Sequence, residues 1–337
     1  MERNGILGAG TWVVDHIKMV DEWPAQDTLC TVLSSKPANG GLPYNVLKDL
    51  SKMNFPAPLQ GGGLLGNDVD GKFIENDCKA HNIDTSLFVF SDEAATSFTD
   101  VMTVQSTGRR TFFHNPASND LLKPEHIKLE NSNAKIFLEG YFGLHKNMDA
   151  IDENGETGHS KVFKKAKELG FITAADLVSK KMDFEKATKS SLPYLDYLSL
   201  NEIELRMLVG KAAEDISNIK DESALKKCAS IVLGRGINKY MVVHFPECVY
   251  AFGQDGTIAK CTSIDFPRKL IKGAVGAGDA MYAGILFGVH EGWDISDSLK
   301  MGVCAATQCL TNAAASDGMV DWRECLKLPE IYGYEKF

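Results

Sequence analysis

The sequence predicts an α/β protein with a central, mostly parallel sheet covered by helices and a small extra β-layer. Three observations predict it. The chain has 337 residues, 44% hydrophobic and 24% charged, enough for one large α/β domain or two ordinary ones with a sizeable core. Short apolar runs alternate with segments of helical period, the rhythm of strands laid parallel by helical crossovers. Two stretches break that rhythm and read as paired strands instead.

Taken in order, the apolar runs place core strands at Gly5–Ala9, Lys135–Leu138, Phe171–Ala175, Tyr197–Leu200 and Lys239–His244. Helical spacing places helices at Pro43–Met53, Gly71–His81, Ser160–Leu169, Glu202–Val209, Glu222–Val232, Ala277–His290 and Ile295–Leu310. The first stretch off the rhythm runs from about Trp12 to Lys36, with a strand expected at Thr28–Leu33. The second runs from Thr96 to His114: Phe98–Val104 is β-rich, Ser106-Thr107-Gly108 supplies a turn, and Arg110–Phe113 returns. A flap beside a ligand cleft and an oligomer contact are both uses for such a layer. The polar segment Met148–His159 lacks the ligand spacing of an EF-hand and reads as a solvated loop.

The net charge of −9 disfavours nonspecific binding to nucleic acid or to an anionic membrane. An acidic protein that handles phosphates must build a local positive site from backbone amides, helix N-termini or a metal. The eight cysteines form no Cys-x-x-Cys pair and read as free thiols in a reducing cytosol. Met1–Gly5 lacks the pattern of a secretion signal, and no apolar run reaches the ~18 residues of a membrane span. A cytoplasmic location is the expectation.

Two glycine clusters are candidate phosphate loops. Gly8-Ala9-Gly10-Thr11-Trp12-Val13 resembles the start of a dinucleotide fingerprint, but Val13 stands where the third glycine belongs and no helix follows. An oxidoreductase reading would rest on that cluster alone. In Gly273–Gly284 the downstream residues do read as a helix, with Met281, Ile285, Leu286 and Val289 on one face. A glycine-rich turn feeding a helix offers unpaired N–H groups and the positive end of the dipole, an anion site. No Gly-Lys-Ser/Thr follows, so it is not a Walker loop. Asp279 at the start of this helix is either its N-cap or a base that takes a proton from an attacking hydroxyl while the amides hold a phosphoryl group.

At this point the chain resembles the ribokinase (PfkB) carbohydrate kinase family. Gly276-Ala277-Gly278-Asp279 matches the end of that family's C-terminal signature. Asp15 follows the first strand; Gly40, Gly41 and Asn45 match a Gly-Gly pair and the Asn of the next helix; Gly63, Gly66, Asp68 and Gly71 match a further motif; Asn201 and Glu204 match Asn-x-x-Glu. The resemblance implies a single three-layer domain over 1–337, with a β-lid from about 12–36 and 96–114 covering the acceptor sugar. It implies Asp279 as catalytic base and Gly276, Ala277 and Gly278 as the anion hole. Asp15, Gly40, Gly41 and Asn45 would bind acceptor hydroxyls, with His114 and Asn119 as further candidates. Asn201 and Glu204 would organise water around Mg²⁺ and the phosphates of ATP; no residue is assigned as a direct metal ligand. A homodimer through the lid is also implied.

The sequence departs from the family at three places. Gly273-Ala274 replaces Asp-Thr, and that Asp helps hold a monovalent cation in relatives that use one. His244–Val249 lacks both glycines of the expected nucleotide loop, and Pro246 has no N–H to donate. Of a mid-chain Asp-x-Asn-x-Arg only Asp176 remains, with Val178 and Lys180 at the other positions. Two readings follow: an active ATP-dependent kinase for a sugar or nucleoside, and a degenerate relative that binds such a molecule with little use of ATP.

Overall fold

The structure is a computed structural model that describes residues 2–180, 182–210 and 221–336. The first half of the chain contains β1 (Ile6–Gly10), β2 (Val13–Val20), β3 (Val32–Gly40), α1 (Leu42–Lys52), β4 (Leu59–Gly66), α2 (Val69–Ala80), β5 (Ile83–Ser91), β6 (Phe98–Val104), β7 (Arg110–Asn115), the short α3 (Ala117–Leu121), β8 (Ile136–Phe142), the short α4 (Lys146–Asp149) and α5 (Gly158–Glu168). Then come β9 (Ile172–Leu177), the short α6 (Phe184–Thr188), β10 (Tyr197–Asn201), α7 (Glu202–Val209), α8 (Glu222–Leu233), β11 (Tyr240–His244), β12 (Cys248–Gly253), β13 (Ile258–Thr262), α9 (Ala277–Glu291), α10 (Ile295–Cys309), and the short α11 (Trp322–Cys325) and α12 (Leu328–Tyr332).

The nine-stranded sheet runs β13-β12-β11-β10-β9-β8-β1-β4-β5. It is parallel from β5 to β11, and β12 and β13 continue it as an antiparallel edge. Alternate residues of a strand face opposite sides, and the two sides here bury separate cores. Ile6, Ile136 and Leu138 join α1, α9 and α10 on one side. Leu7, Phe137 and Phe142 join α5, α7 and α8 on the other. The sheet is therefore the middle of three layers, the α/β architecture the sequence predicts. In the first core Phe287 packs against Phe55, Trp293 and Trp322; a buried ring of that size contributes about 1.5–3 kcal/mol.

A separate four-stranded sheet, β3-β2-β6-β7, accounts for both stretches that break the βα rhythm. Its strand from the first stretch differs from the expectation. Only Val32 and Leu33 of Thr28–Leu33 are strand, and β3 runs on to Gly40. Pro37 gives no obstacle there, because β3 is an edge strand and proline lacks only an N–H. In place of a helix after Gly8–Gly10 the chain enters β2, so that cluster has no helix N-terminus to offer.

Three further differences have physical reasons. β4, which is absent from the apolar runs, carries Gly61-Gly62-Gly63; Trp12 packs across it and its indole N–H donates to the Gly62 carbonyl at 3.0 Å. β12 and β13 form a meander that the apolar runs do not mark, although Asp255-Gly256, with Gly256 at φ 85°, is the hairpin-turn signal between them. The Met148–His159 segment is not a solvated loop throughout, since Met148, Thr157 and His159 are fully buried. No disulfide joins any of the eight cysteines, and no helix among the described residues is long and apolar enough to cross a membrane.

Candidate active site

Asp279 lies in the first turn of α9, but it does not cap it. The cap position belongs to Gly276, at φ 77°. A side chain there would be strained by that φ and would meet Cβ of Ala315 at 2.7 Å. The turn over 274–277 therefore has to be made by glycine, and the amides that follow it are the first of a helix, which have no intrahelical acceptor. The Asp279 carboxylate turns inward. Its Oδ2 accepts from Asn45 Nδ2 at 2.7 Å, and its Oδ1 accepts from the Tyr141 hydroxyl at 2.5 Å. Burial pushes this carboxyl up to about 6, while the two donors pull it back down. Sequence reasoning missed Tyr141. It stands at the end of β8 in no recognised motif, beside a strand whose other residues read only as core.

Asn45 is presented by α1, whose entry explains Gly40-Gly41. Gly41 is the N-cap residue at φ 89°, and a Cβ on it would strike the Thr11 carbonyl at 2.1 Å. A Cβ on Gly40 would fall 2.7 Å from the Asp15 carboxylate, so the small residue leaves that carboxylate room. Asn39 Nδ2 donates to Asn45 Oδ1 at 2.6 Å and to Ser316 Oγ at 3.0 Å, which fixes the Asn45 amide with its nitrogen toward Asp279. One turn further along α1, Asp49 is fully buried, and its carboxyl is pushed well above the ordinary range by that burial.

Asp15 comes from β2 in the second sheet. Burial pushes its carboxyl up to about 7, partly offset by Thr99. Thr99 pairs with Asp15 in the sheet register and shares a hydrogen bond with His114 Nδ1 at 3.1 Å, so His114 stands two steps from Asp15 on the exposed β7. Asn119 is fully buried and donates to the Trp12 carbonyl at 3.3 Å; it braces the β1–β2 turn and does not line the cleft. Arg110 and Phe112 of β7 close over Asp15, Asn39 and Val275, leaving a pocket of about 10 Å³, room for about one water. Arg110 Nη2 donates to the Ala313 carbonyl at 3.1 Å. A Cβ on Gly273 would come within 3.0 Å of that nitrogen, so a guanidinium lies against the residue that replaces the family's Asp.

On the other side of the α9 N-terminus lies a cleft of about 600 Å³. Phe245, Val249, Met281 and Leu310 give it apolar walls; Asn201, His244 and Gly278 give it polar ones. His244–Cys248, read from sequence as a defective phosphate loop, is the tight turn between β11 and β12, closed by the Phe245 N–H on the Cys248 carbonyl at 2.8 Å. The His244 ring reaches within 3.5 Å of where a Cβ on Gly278 would lie. Burial lowers this imidazole to about 4, so it is neutral near pH 7.

Asn201 and Glu204 form a capping box on α7. Asn201 Oδ1 accepts from the amides of Ile203 and Glu204, and Glu204 Oε2 accepts from the Asn201 N–H at 2.9 Å. Glu204 is not an exposed helical acid; it is buried, and Ser179 donates to its Oε1 at 2.9 Å. Asp176, at the end of β9, is buried with it. Burial first, then Glu204 and Asp279, push the Asp176 carboxyl well up. The remaining family motif is architectural, since Asp68 caps α2 and accepts from Gly71 N–H, Thr96 N–H and Thr96 Oγ1 at 2.7–2.8 Å.

The fold and the sequence both have known relatives. Ribokinase of Arabidopsis thaliana, solved with ribose and ATP, superimposes with a TM-score of 0.78 at 19% identity, covering 97% of this chain and 99% of that one. Fructokinase of Xylella fastidiosa with bound ATP superimposes with a TM-score of 0.74 at 19% identity, covering 97% and 98%. In sequence, 5-dehydro-2-deoxygluconokinase of Clostridium botulinum (strain Alaska E43 / Type E3) is 22% identical over 85% of this chain and 82% of its own length. Adenosine kinase 1 of Arabidopsis thaliana is 24% identical over 84% and 81%. The sequence model for pfkB family carbohydrate kinases matches residues 6–322, nearly the whole chain, and the protein therefore belongs to that family of kinases.

Proposed function

We propose that this chain transfers the γ-phosphoryl group of ATP to a hydroxyl of a sugar or nucleoside, with Asp279 as general base. The observation that carries this is the Asp279 carboxylate. It is buried, raised to about 6, gripped by Asn45 and Tyr141, and set in the first turn of a helix whose start borders the 600 Å³ cleft. A base raised toward ambient pH accepts a proton more readily while still mostly ionised at pH 7. The acceptor hydroxyl gives its proton to Asp279 as its oxygen bonds to the γ-phosphorus, and the bond to ADP breaks. Amides at Gly276, Ala277 and Gly278 hold the charge that gathers on the phosphoryl oxygens.

The apolar walls of the cleft suit a nucleotide base, and His244 and Asn201 suit its phosphate end. Mg²⁺ calls for oxygen donors. Asp176 and Glu204 fit it, since these buried carboxyls repel one another and a cation nearby would relieve that. Bound with the nucleotide, Mg²⁺ would neutralise phosphate charge.

The second sheet serves as the lid in this reading, and Asp15, Gly40, Gly41 and Asn45 receive the acceptor hydroxyls. Arg110 beside Asp15 favours acceptors that also carry an anionic group, so sugar acids belong in any screen. Trp23, Val32, Phe112 and Phe113 are exposed on or next to the lid and suit a homodimer in the cytoplasm; size-exclusion chromatography with light scattering tests the dimer.

The direct test is a coupled ADP-release screen over sugars, sugar acids and nucleosides, with and without K⁺. Asp279→Asn should fold normally and lose at least ~10²-fold in rate; turnover like wild type in that variant sinks the assignment. The altered His244–Cys248 turn and Gly273 motivate the second reading, a binder with little use of ATP. Calorimetry separates the two: micromolar ATP-Mg²⁺ binding supports the kinase, and absence of binding supports the degenerate relative.

A further inference from the structure

Behind the strand that carries Tyr141, the described residues bring a second group of ligand-type side chains together, away from the nucleotide cleft. Glu139 on β8, His145 at the N-cap of α4 and His159 on α5 are all buried, and one ligand atom from each lies within 4.8 Å of the others. The hydrogen bonds around them are polarised in a particular way. His159 turns Nδ1 toward both oxygens of Glu139, at 2.8 Å each, and Nε2 toward Asp149 Oδ1 at 3.2 Å. His145 turns Nε2 toward Thr11 Oγ1 at 3.1 Å, while its Nδ1 is buried without a partner. Leaving a buried ring nitrogen unpaired is destabilising. An ion pair between Glu139 and His159 alone gives no use for it.

We propose that Glu139, His145 and His159 bind a divalent transition-metal ion of the Zn²⁺ type. Two imidazoles and a carboxylate are a zinc-type donor set; Ca²⁺ and Mg²⁺ prefer oxygen alone. Ligating histidines usually give their other ring N–H to a carboxylate or similar oxygen, and both partners are already in place: Thr11 for His145 and Asp149 for His159. Three atoms no more than 4.8 Å apart can all lie within about 2.8 Å of a common point, so a contraction of about 0.7 Å brings them to zinc-bond length. Charge also balances. The ion would offset the buried Glu139 carboxylate and the partly buried Asp149 carboxylate, with both imidazoles neutral.

The ion would act as a positioning element for the active site. Asp149 accepts from the amides of Gly143 and His145 at 2.8 Å each, which fixes the turn after β8. Thr11 Oγ1 accepts the Tyr141 N–H at 2.8 Å, so His145 is one residue removed from the tyrosine that grips Asp279. None of these groups belongs to the family motifs.

The test uses untagged, full-length, nucleotide-free protein, loaded with Zn²⁺ and desalted without chelator. Metal analysis should give roughly one equivalent per chain for wild type and a small fraction of that for His145→Ala and Glu139→Gln. Zn²⁺ should raise the melting temperature of wild type and not of the variants. X-ray absorption at the zinc edge should show nitrogen and oxygen neighbours with imidazole scattering; this readout needs no variant, so a folding failure in His145→Ala does not blunt it. Wild type that retains no zinc overturns the proposal. So does equal zinc in folded His145→Ala, or sulfur scattering that traces the metal to the cysteines.

Discussion

Replacing Tyr141 with phenylalanine removes one hydroxyl and keeps the ring. That hydroxyl donates to Asp279 Oδ1, while Asn45 holds Oδ2. Both bonds favour the ionised carboxylate and oppose the burial that raises its pKa to about 6. A hydrogen bond to a charged group is worth about 1.5–3 kcal/mol. At about 1.4 kcal/mol per pH unit, losing it moves the Asp279 carboxyl up by about one to two units. In Tyr141→Phe the acid limb of kcat/KM should therefore shift from near pH 6 to roughly pH 7–8. Activity at pH 7 should fall about two- to tenfold and recover by about pH 9. The assay is a pH–rate profile with a saturating nucleotide and the best acceptor from the ADP-release screen. An acid limb that stays near pH 6, or a loss of the same size at every pH, would refute the claim that Tyr141 sets the proton affinity of Asp279, the proposed base.

Gly276→Ala should lower the melting temperature by a few degrees and cut kcat sharply, because its φ of 77° and the Cβ of Ala315 at 2.7 Å leave no relaxed place for a methyl group; unchanged melting and turnover would contradict that geometry. Asp15, raised to about 7, holds a proton in the folded protein over a range where the unfolded chain has lost it. The folded state thus binds more protons between about pH 4 and 7, so this group's contribution to stability falls as pH rises through that window. Asp15→Asn should gain stability relative to wild type from about pH 4.5 to 7.5 in chemical denaturation, and a pH-independent difference would count against a buried, neutralised Asp15.

The parts of the fold legible in sequence are those with a strong period or a forced residue. β1, β9, β10 and β11 are short apolar runs, and α9 is a long apolar helix behind a glycine turn. Gly41 and Gly276 stand at positive φ, where the backbone itself selects the residue. The illegible parts depend on tertiary partners. β4 has no apolar run to mark it because its glycines are explained only by Trp12 lying across them. Asp279 looks like a helix cap until Asn45 and Tyr141, far away in sequence, take its two oxygens. Glu204 looks like a surface acid until Ser179 and the end of β9 cover it. His159 ends a polar segment, and His145 lies just before it; their burial comes from the strand beneath, not from local composition.

The bond between Asn45 and Asp279 spans 234 residues, and the one between Asn39 and Ser316 that steadies it spans 277. The proposed base and its Asn45 partner therefore come from distant parts of the chain, and no fragment lacking either one contains the pair. Closing contacts at such separation costs chain entropy early and returns stabilisation late, which slows folding. During synthesis most of the sheet can be laid down before α9 exists. Recovery of phosphoryl transfer after dilution from denaturant would then lag behind recovery of helical signal, making turnover a readout of the last long-range contacts to form.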